Sequence, residues 1–155
     1  MMNIIGIDIT QVSTSAIFKL GTVAGDIGPD GPQKNYKYIK YVAGTAAAAG
    51  VAGEVAYYYL AGGTQDSFVT SDVSDSVDIG AGVLQAVMAD GTFGWVQVTG
   101  PATLTIALTS GADGQALTAK GAGDGTLDVS ALVTDHICAI ADDISAKEIM
   151  CCFPL

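Results

Sequence analysis

Short runs of alternating apolar and polar residues, separated by glycine- and aspartate-containing turns, are the main pattern of this 155-residue chain. The clearest example is Asp90-Gly91, a turn dipeptide between two apolar runs, which favours a β-hairpin. The runs are rich in β-branched and aromatic side chains, which suit a pleated surface. The pattern predicts strands at 35–42, 54–60, 82–89, 93–99, 102–108, 115–119, 126–129, 136–141 and 147–152, one short strand near Phe68, and almost no α-helix. We therefore expect an all-β fold, a small single-domain barrel or sandwich.

The first twenty residues have a looser pattern that indicates an extended N-terminal arm, followed by a β-rich domain over 21–155. Four isoleucines stand close together in this arm: Ile4, Ile5, Ile7 and Ile9. Their side chains would be costly to leave in water, so the arm needs a surface to pack on. That surface belongs either to a partner or to the chain's own domain, in which case the arm is an ordinary first strand. Residues 21–33 are rich in glycine and proline and are predicted to form a loop.

Charge disfavours several classes of partner. The chain has six lysines, no arginine and sixteen acidic residues, which gives a net charge of −10. Nucleic acids and anionic membranes would meet long-range repulsion, and bidentate phosphate recognition relies on arginine. No apolar run reaches the ~18 residues that span a bilayer, and the N-terminus lacks the basic flank and cleavage site of a signal peptide. We expect neither a nucleic-acid nor a membrane partner.

The charge is unevenly distributed along the chain. Residues 1–42 hold four lysines and three acids, whereas residues 43–155 hold two lysines and thirteen acids. The four are Lys19, Lys34, Lys37 and Lys40. This is either chance variation in short segments or a docking segment that faces an acidic partner.

Residues that are able to carry chemistry do not form a recognisable set. His136 has no nucleophile motif beside it, and Asp72, Asp75 and Asp78 lack the glycine and glutamate of a calcium loop. Cys138, Cys151 and Cys152 lack zinc spacing and are interpreted as reduced, buried small hydrophobes. We therefore expect no catalytic residues, no cofactor, no metal and no small-molecule substrate.

Aromatic residues concentrate in the predicted strands. The prominent ones are Tyr57, Tyr58, Tyr59, Phe93 and Trp95. The chain has few charged residues and half of its residues are hydrophobic, which favours packing against other subunits. These rings are therefore predicted to lie in the core or in a subunit interface.

Three segments carry a resemblance to a known family. They are Gly-Val-Leu-Gln-Ala at 82–86, Asp-Gly-Thr-Phe-Gly-Trp-Val-Gln-Val-Thr-Gly-Pro-Ala-Thr at 90–103, and Gly-Ala-Asp-Gly-Gln-Ala-Leu-Thr at 111–118. These segments resemble small tailed-phage head proteins that decorate, or cement, the capsid. Residues 18–22 and 36–41 are also similar, so that the resemblance spans roughly 16–152. The segment 113–117 departs slightly from the family's last strand.

The resemblance implies a structural virion protein that binds the outside of a phage capsid and stabilises it, as a homotrimer at three-fold positions. Its partners would be the major capsid protein and itself, and it would be assembled in the host cytoplasm. From the isoleucine pattern and the uneven charge, we predict that the capsid contacts come from the four arm isoleucines and the four N-terminal lysines. A β-rich surface module that binds glycans is the alternative, and an enzyme that uses aspartate pairs or His136 is a third class.

Overall fold

The computed structural model describes residues 7–26, 31–61 and 63–155 and confirms an all-β fold built on a closed five-strand barrel. Its strands are β1 Val23–Gly25, β2 Asn35–Tyr41, β3 Val55–Tyr59, β4 Phe68–Thr70, β5 Ser76–Leu84, β6 Phe93–Thr103, β7 Ala116–Thr118, β8 Asp128–Val129, β9 Ile137–Asp143 and β10 Glu148–Cys152. One four-residue helix, α1 (Gly63–Asp66), precedes β4.

The barrel closes because β6, the last strand of the five-strand order, also pairs with the first. Its order is β2-β4-β3-β5-β6, and β6 returns to pair with β2 from Asn35↔Thr99 to Lys40↔Phe93. Only the β2–β4 pair is parallel among these five. Ile39, Tyr41 and Val96 fill the interior, and the Tyr41 hydroxyl lies 2.7 Å from Ser71 Oγ, so its polar tip has a partner.

Strand β6 differs from its prediction. The Gly100-Pro101 break was expected to separate strands 93–99 and 102–108, but a single strand of eleven residues runs through it and ends at Thr103. At this point β6 exchanges one partner for another, since Thr99 is opposite Asn35 of β2 and also opposite Cys152 of β10. Gly100 has a φ of +89° and faces the Gln33 carbonyl, so the break is a local distortion where the partner changes.

Two further predictions need correction for similar reasons. The strand predicted at 82–89 is β5, which begins at Ser76 and ends at Leu84. The predicted loop 21–33 contains β1, which pairs with the first residues of β2. In both cases pairing with a neighbouring strand extends regular structure into glycine-rich sequence. Local strand propensity does not predict this extension.

A second layer of strands extends the sheet beyond the barrel. It continues from β6 in the order β10-β9-β7-β8. Leu117, Ala139 and Ile149 are fully buried and join the barrel's own core cluster. The layer therefore turns one side towards the barrel and the other towards solvent.

The three cysteines follow the alternation of these outer strands. Cys138 and Cys151 are buried, and burial raises the pKa of the Cys151 thiol to about 12. Cys152 is exposed because adjacent strand residues face opposite sides, so the prediction of a buried thiol is wrong for Cys152.

We expect one thiol per chain to react with a maleimide at pH 8 in the folded protein, and three in denaturant. The reason is that the thiolate is the nucleophile, and burial opposes its formation in Cys138 and Cys151. Mass spectrometry of the labelled chain measures the stoichiometry. Rapid labelling of all three thiols without denaturant would contradict these placements.

Candidate interaction surfaces

Four aromatic rings form a cluster on the outer side of the barrel, and the N-terminal arm covers it. Phe18 lies 5.3 Å from Tyr38 and 5.5 Å from Trp95, and Tyr38 lies 5.1 Å from Trp95, all between ring centroids. Phe93 stacks on Tyr38 at 6.4 Å. We call Phe18, Tyr38, Phe93 and Trp95 the aromatic cluster. Tyr38 and Trp95 are directly opposite each other on β2 and β6, which is why the cluster forms there.

Hydrogen bonds hold the arm on this cluster. The Ile17 N–H donates to the Tyr38 hydroxyl at 3.2 Å, and Ser13 and Phe93 exchange two backbone hydrogen bonds of 3.0 and 2.9 Å. Ile7 and Ile9 are partly buried against the cluster. The arm segment 7–20 therefore lies on the chain's own barrel. Ile4 and Ile5 lie outside the described residues, and capsid contact by all four isoleucines stays a prediction.

The four N-terminal lysines lie in different environments. Lys19 is exposed, while Lys34 and Lys40 are half-buried. The Lys40 ammonium lies 5.2 Å from the centre of the Phe68 ring. Lys37 is only 6% exposed and donates to the Tyr58 hydroxyl at 2.7 Å, so its charge is directed into the chain. The hypothesis of a basic docking surface consequently rests on Lys19, Lys34 and Lys40.

The aromatic residues predicted for core or interface are mostly internal to the chain. Tyr57, Tyr58 and Trp95 are buried, whereas Tyr59 and Phe93 are half-buried. The Tyr57 hydroxyl contacts the Thr126 carbonyl, and burial raises the pKa of Tyr57 far above its ordinary range. These rings pack against residues of their own chain.

The outer side of the second layer carries apolar side chains that face solvent. Ile140 and Met150 are directly opposite each other on β9 and β10 and are 45% and 42% exposed. On either side, Ala116 of β7 is opposite Ile140, and Pro101 of β6 is opposite Met150. We call these four residues the row. The row crosses four strands without a charged side chain.

The loop before β9 holds two more apolar side chains in solvent. Leu132 is 56% exposed and Val133 is fully exposed. Together with Ile137, at the start of β9, they line an open recess of about 360 Å³. We call Leu132, Val133 and Ile137 the tip, and the row and tip together the apolar face.

The loop of the tip is shaped by a single carboxylate. Asp135 accepts hydrogen bonds from the Leu132 N–H at 2.8 Å and the Ala131 N–H at 3.0 Å, and from the Ser130 hydroxyl at 3.3 Å. These bonds lower the pKa of Asp135 below its ordinary value of 3.8, with the Leu132 N–H as the largest cause. These hydrogen bonds fix the loop conformation in which Leu132 and Val133 face solvent.

Low pH is expected to destabilise the protein. The pKa values of Asp135, Asp143 and Asp72 are all lowered, the last two chiefly by hydrogen bonds from Ser145 and Ser74. A carboxyl whose folded pKa is lowered contributes stability above its unfolded pKa, and this contribution disappears as pH falls through the folded value. Denaturant titrations should show the free energy of unfolding decreasing from about pH 5 downwards. A constant or rising value would contradict these hydrogen bonds.

Other aspartates accept hydrogen bonds from backbone N–H groups. Asp72 accepts from the Ser74 N–H at 3.0 Å, and Asp75 accepts from the Thr45 N–H. Within the described residues, no group of three His, Cys, Asp or Glu side chains could hold a metal ion. His136 is exposed and directly precedes β9.

Comparison with known proteins gave no relatives. No family model, curated protein or solved structure matches the chain. In the part of the chain that the structure describes, no helix is long and apolar enough to cross a membrane.

Sequence reasoning missed the apolar face, although a signal for it was present. Ile-Cys-Ala-Ile-Ala at 137–141 and Ile-Met-Cys-Cys at 149–152 are apolar on both sides of their strands. A strand at the edge of a domain with one side in water normally alternates with polar residues. Because polar residues are missing from the solvent side of these two strands, the sequence indicated a second apolar surface.

Proposed function

We propose that the protein is a structural component of a phage head that binds the outside of the capsid and stabilises it, as a homotrimer at three-fold positions. The resemblance of residues 82–118 to capsid decoration proteins supports the family. The apolar face is the observation that carries a structural, assembled role, because exposed apolar patches of this kind mark protein–protein contacts.

The capsid-facing surface in this proposal is the N-terminal one. Lys19 lies on the arm and Lys40 in β2, while Lys34 lies just before β2 and lines a recess with Asp142 and Glu148. Lysines on such a surface add steering and orientation towards an acidic shell more than affinity, and salt weakens their effect.

Stabilisation would follow from mass action. A protein that binds only the mature shell stabilises that shell by its binding free energy. Several linked copies raise the effective concentration of each contact, so weak individual contacts give tight attachment overall.

The glycan-binding alternative gains no support from the aromatic residues. Such a module needs exposed aromatic side chains that can stack on sugars, whereas Trp95 is 2% exposed and covered by the arm.

Binding to capsids tests the proposal directly. Purified protein is sedimented with mature heads that lack it, at low and high salt. We expect saturable binding that weakens as salt rises. The double variant Lys19→Gln/Lys40→Gln should bind more weakly and lose part of the salt dependence, while Lys120→Gln, an exposed lysine of the acidic part, serves as the matched control. Absence of wild-type binding would refute the proposed function.

A further inference from the structure

We infer that the apolar face is the surface on which a second copy of this chain packs, with the tip of one copy against the row of the next. The inference deepens the proposed function and rests on its homotrimer, for which it supplies the contact surface.

The size of the face fits an interface between subunits. Five of its side chains range from 42% exposed to fully exposed: Leu132, Val133, Ile137, Ile140 and Met150. Together they offer on the order of 400 Å² of apolar surface, which is at the size where patches on monomers become functional. A stable subunit contact buries about 800 Å² on each partner, of which roughly 65% is apolar in homo-oligomers. In a contact of tip against row, one copy contributes the tip and the other the row, so these side chains form the apolar centre of the contact and the polar rim around them supplies the rest.

Other exposed apolar side chains lie outside the apolar face. Val87 lies in the loop after β5, and Leu60 follows β3. Single exposed apolar side chains of this kind are normal on protein surfaces.

The charge around the face favours another copy of the chain as the occupant. The row carries no charge, and its immediate rim contains Asp142 and Glu148, with Lys34 lining the same adjoining recess of about 270 Å³. A mixed rim allows Lys34 of one copy to approach an acid of its neighbour. Lys19 and Lys40, which are proposed to meet the shell, leave the apolar face free for a neighbouring subunit, whose identical face is equally uncharged at its centre.

The shape of the face favours a head-to-tail contact. The tip surrounds an open recess, whereas Ile140 and Met150 project from a strand surface, so the two halves differ in form. A contact that joins two different surfaces closes into a ring when its rotation allows, whereas a self-complementary contact stops at a dimer. Tip against row is therefore the arrangement that a trimer requires.

Two variants test the tip and the row independently. Val133→Asp places a charge in the tip, and Ile140→Thr/Met150→Thr removes the row while it keeps strand propensity at position 140. Val87→Asp is the matched control for the first variant, because Val87 is 62% exposed and lies outside the face. Light scattering at micromolar concentration should give three times the chain mass of 15.6 kDa for the wild type and the control, and one chain mass for each face variant.

The inference also predicts how much each variant weakens the oligomer and how salt changes its stability. Each face variant should raise the dissociation constant of the oligomer by about 100-fold or more, as loss of a central interface contact does. Salt should strengthen the wild-type oligomer, because it screens repulsion between copies that each carry a net charge of −10. Attachment to the shell through lysines would show the opposite salt dependence.

Mixing the two face variants tests the head-to-tail arrangement. The Val133→Asp chain keeps an intact row and the Ile140→Thr/Met150→Thr chain keeps an intact tip, so one of each should join through a single contact and give twice the chain mass. Circular dichroism confirms that each variant is folded before mixing. A monomeric wild type, a trimeric Val133→Asp variant or a mixture that stays monomeric would each overturn the inference. Trimers that fail to bind capsids would refute the proposed function and leave this inference intact.

Discussion

Replacing Gly82 with alanine is expected to lower the free energy of unfolding by about 3–5 kcal/mol, the sum of backbone strain and overpacking. Gly82 has a φ of +150°, and an added Cβ would lie 2.7 Å from the Gln97 carbonyl oxygen and 2.8 Å from Val96 Cβ. These atoms belong to β6, which β5 must approach to close the barrel. Because a domain is stable by only about 5–15 kcal/mol, this change threatens the fold itself.

Gly91 provides the matched control for this prediction. Its φ is +76°, but no atom lies within 4 Å of the position that a Cβ would occupy. Gly91→Ala should therefore cost about 1–2 kcal/mol of backbone strain alone. Urea titrations of both variants measure the difference. Equal losses in the two would show that the approach of β5 to β6 does not limit barrel closure.

Deleting residues 2–12 is expected to leave the barrel folded but to lower its free energy of unfolding by about 2–4 kcal/mol, through the lost burial of isoleucine side chains. The deletion removes Ile7 and Ile9, which are partly buried against the aromatic cluster, and keeps Phe18 and every barrel strand. Trp95 is the only tryptophan, so its emission should shift to longer wavelength as water reaches the cluster.

The arm and first-strand hypotheses differ in the outcome of that deletion. If residues 1–20 serve to dock on the shell, the truncated protein remains folded and loses capsid binding. If the protein unfolds or aggregates instead, the segment is part of the domain core and the arm hypothesis fails. Ile17→Ser is the control, because Ile17 is an arm residue that is 51% exposed and its replacement should change stability by less than about 0.5 kcal/mol.

The sequence predicted the fold class because the strand signals are local. Tyr36 and Tyr38 alternate with Lys37 and Ile39 along β2, and this alternation places Tyr38 in the aromatic cluster and Ile39 in the barrel interior. Strand pairing, in contrast, depends on distant residues. The single strand β6 through Gly100-Pro101 could not be foreseen, since its continuity depends on β10, which is about 50 residues away along the chain.

The candidate surfaces were predicted in part. The lysines of the N-terminal third were recognised from charge, but the burial of Lys37 against Tyr58 depends on a contact between β2 and β3 that no local pattern encodes. The exposure of Val133 likewise depends on the hydrogen bonds from Ala131 and Leu132 to Asp135. No local pattern in the sequence shows which side of this loop faces solvent.

The composition of purified phage particles tests the central claim most directly. Quantitative mass spectrometry of intact heads should find this chain in a fixed ratio to the major capsid protein, near one copy for each capsid subunit if trimers occupy the three-fold positions. Protease treatment of intact particles should cleave it before the capsid protein, as expected for the outer surface. Particles that contain no copies of the chain, or only a variable trace, would contradict the account.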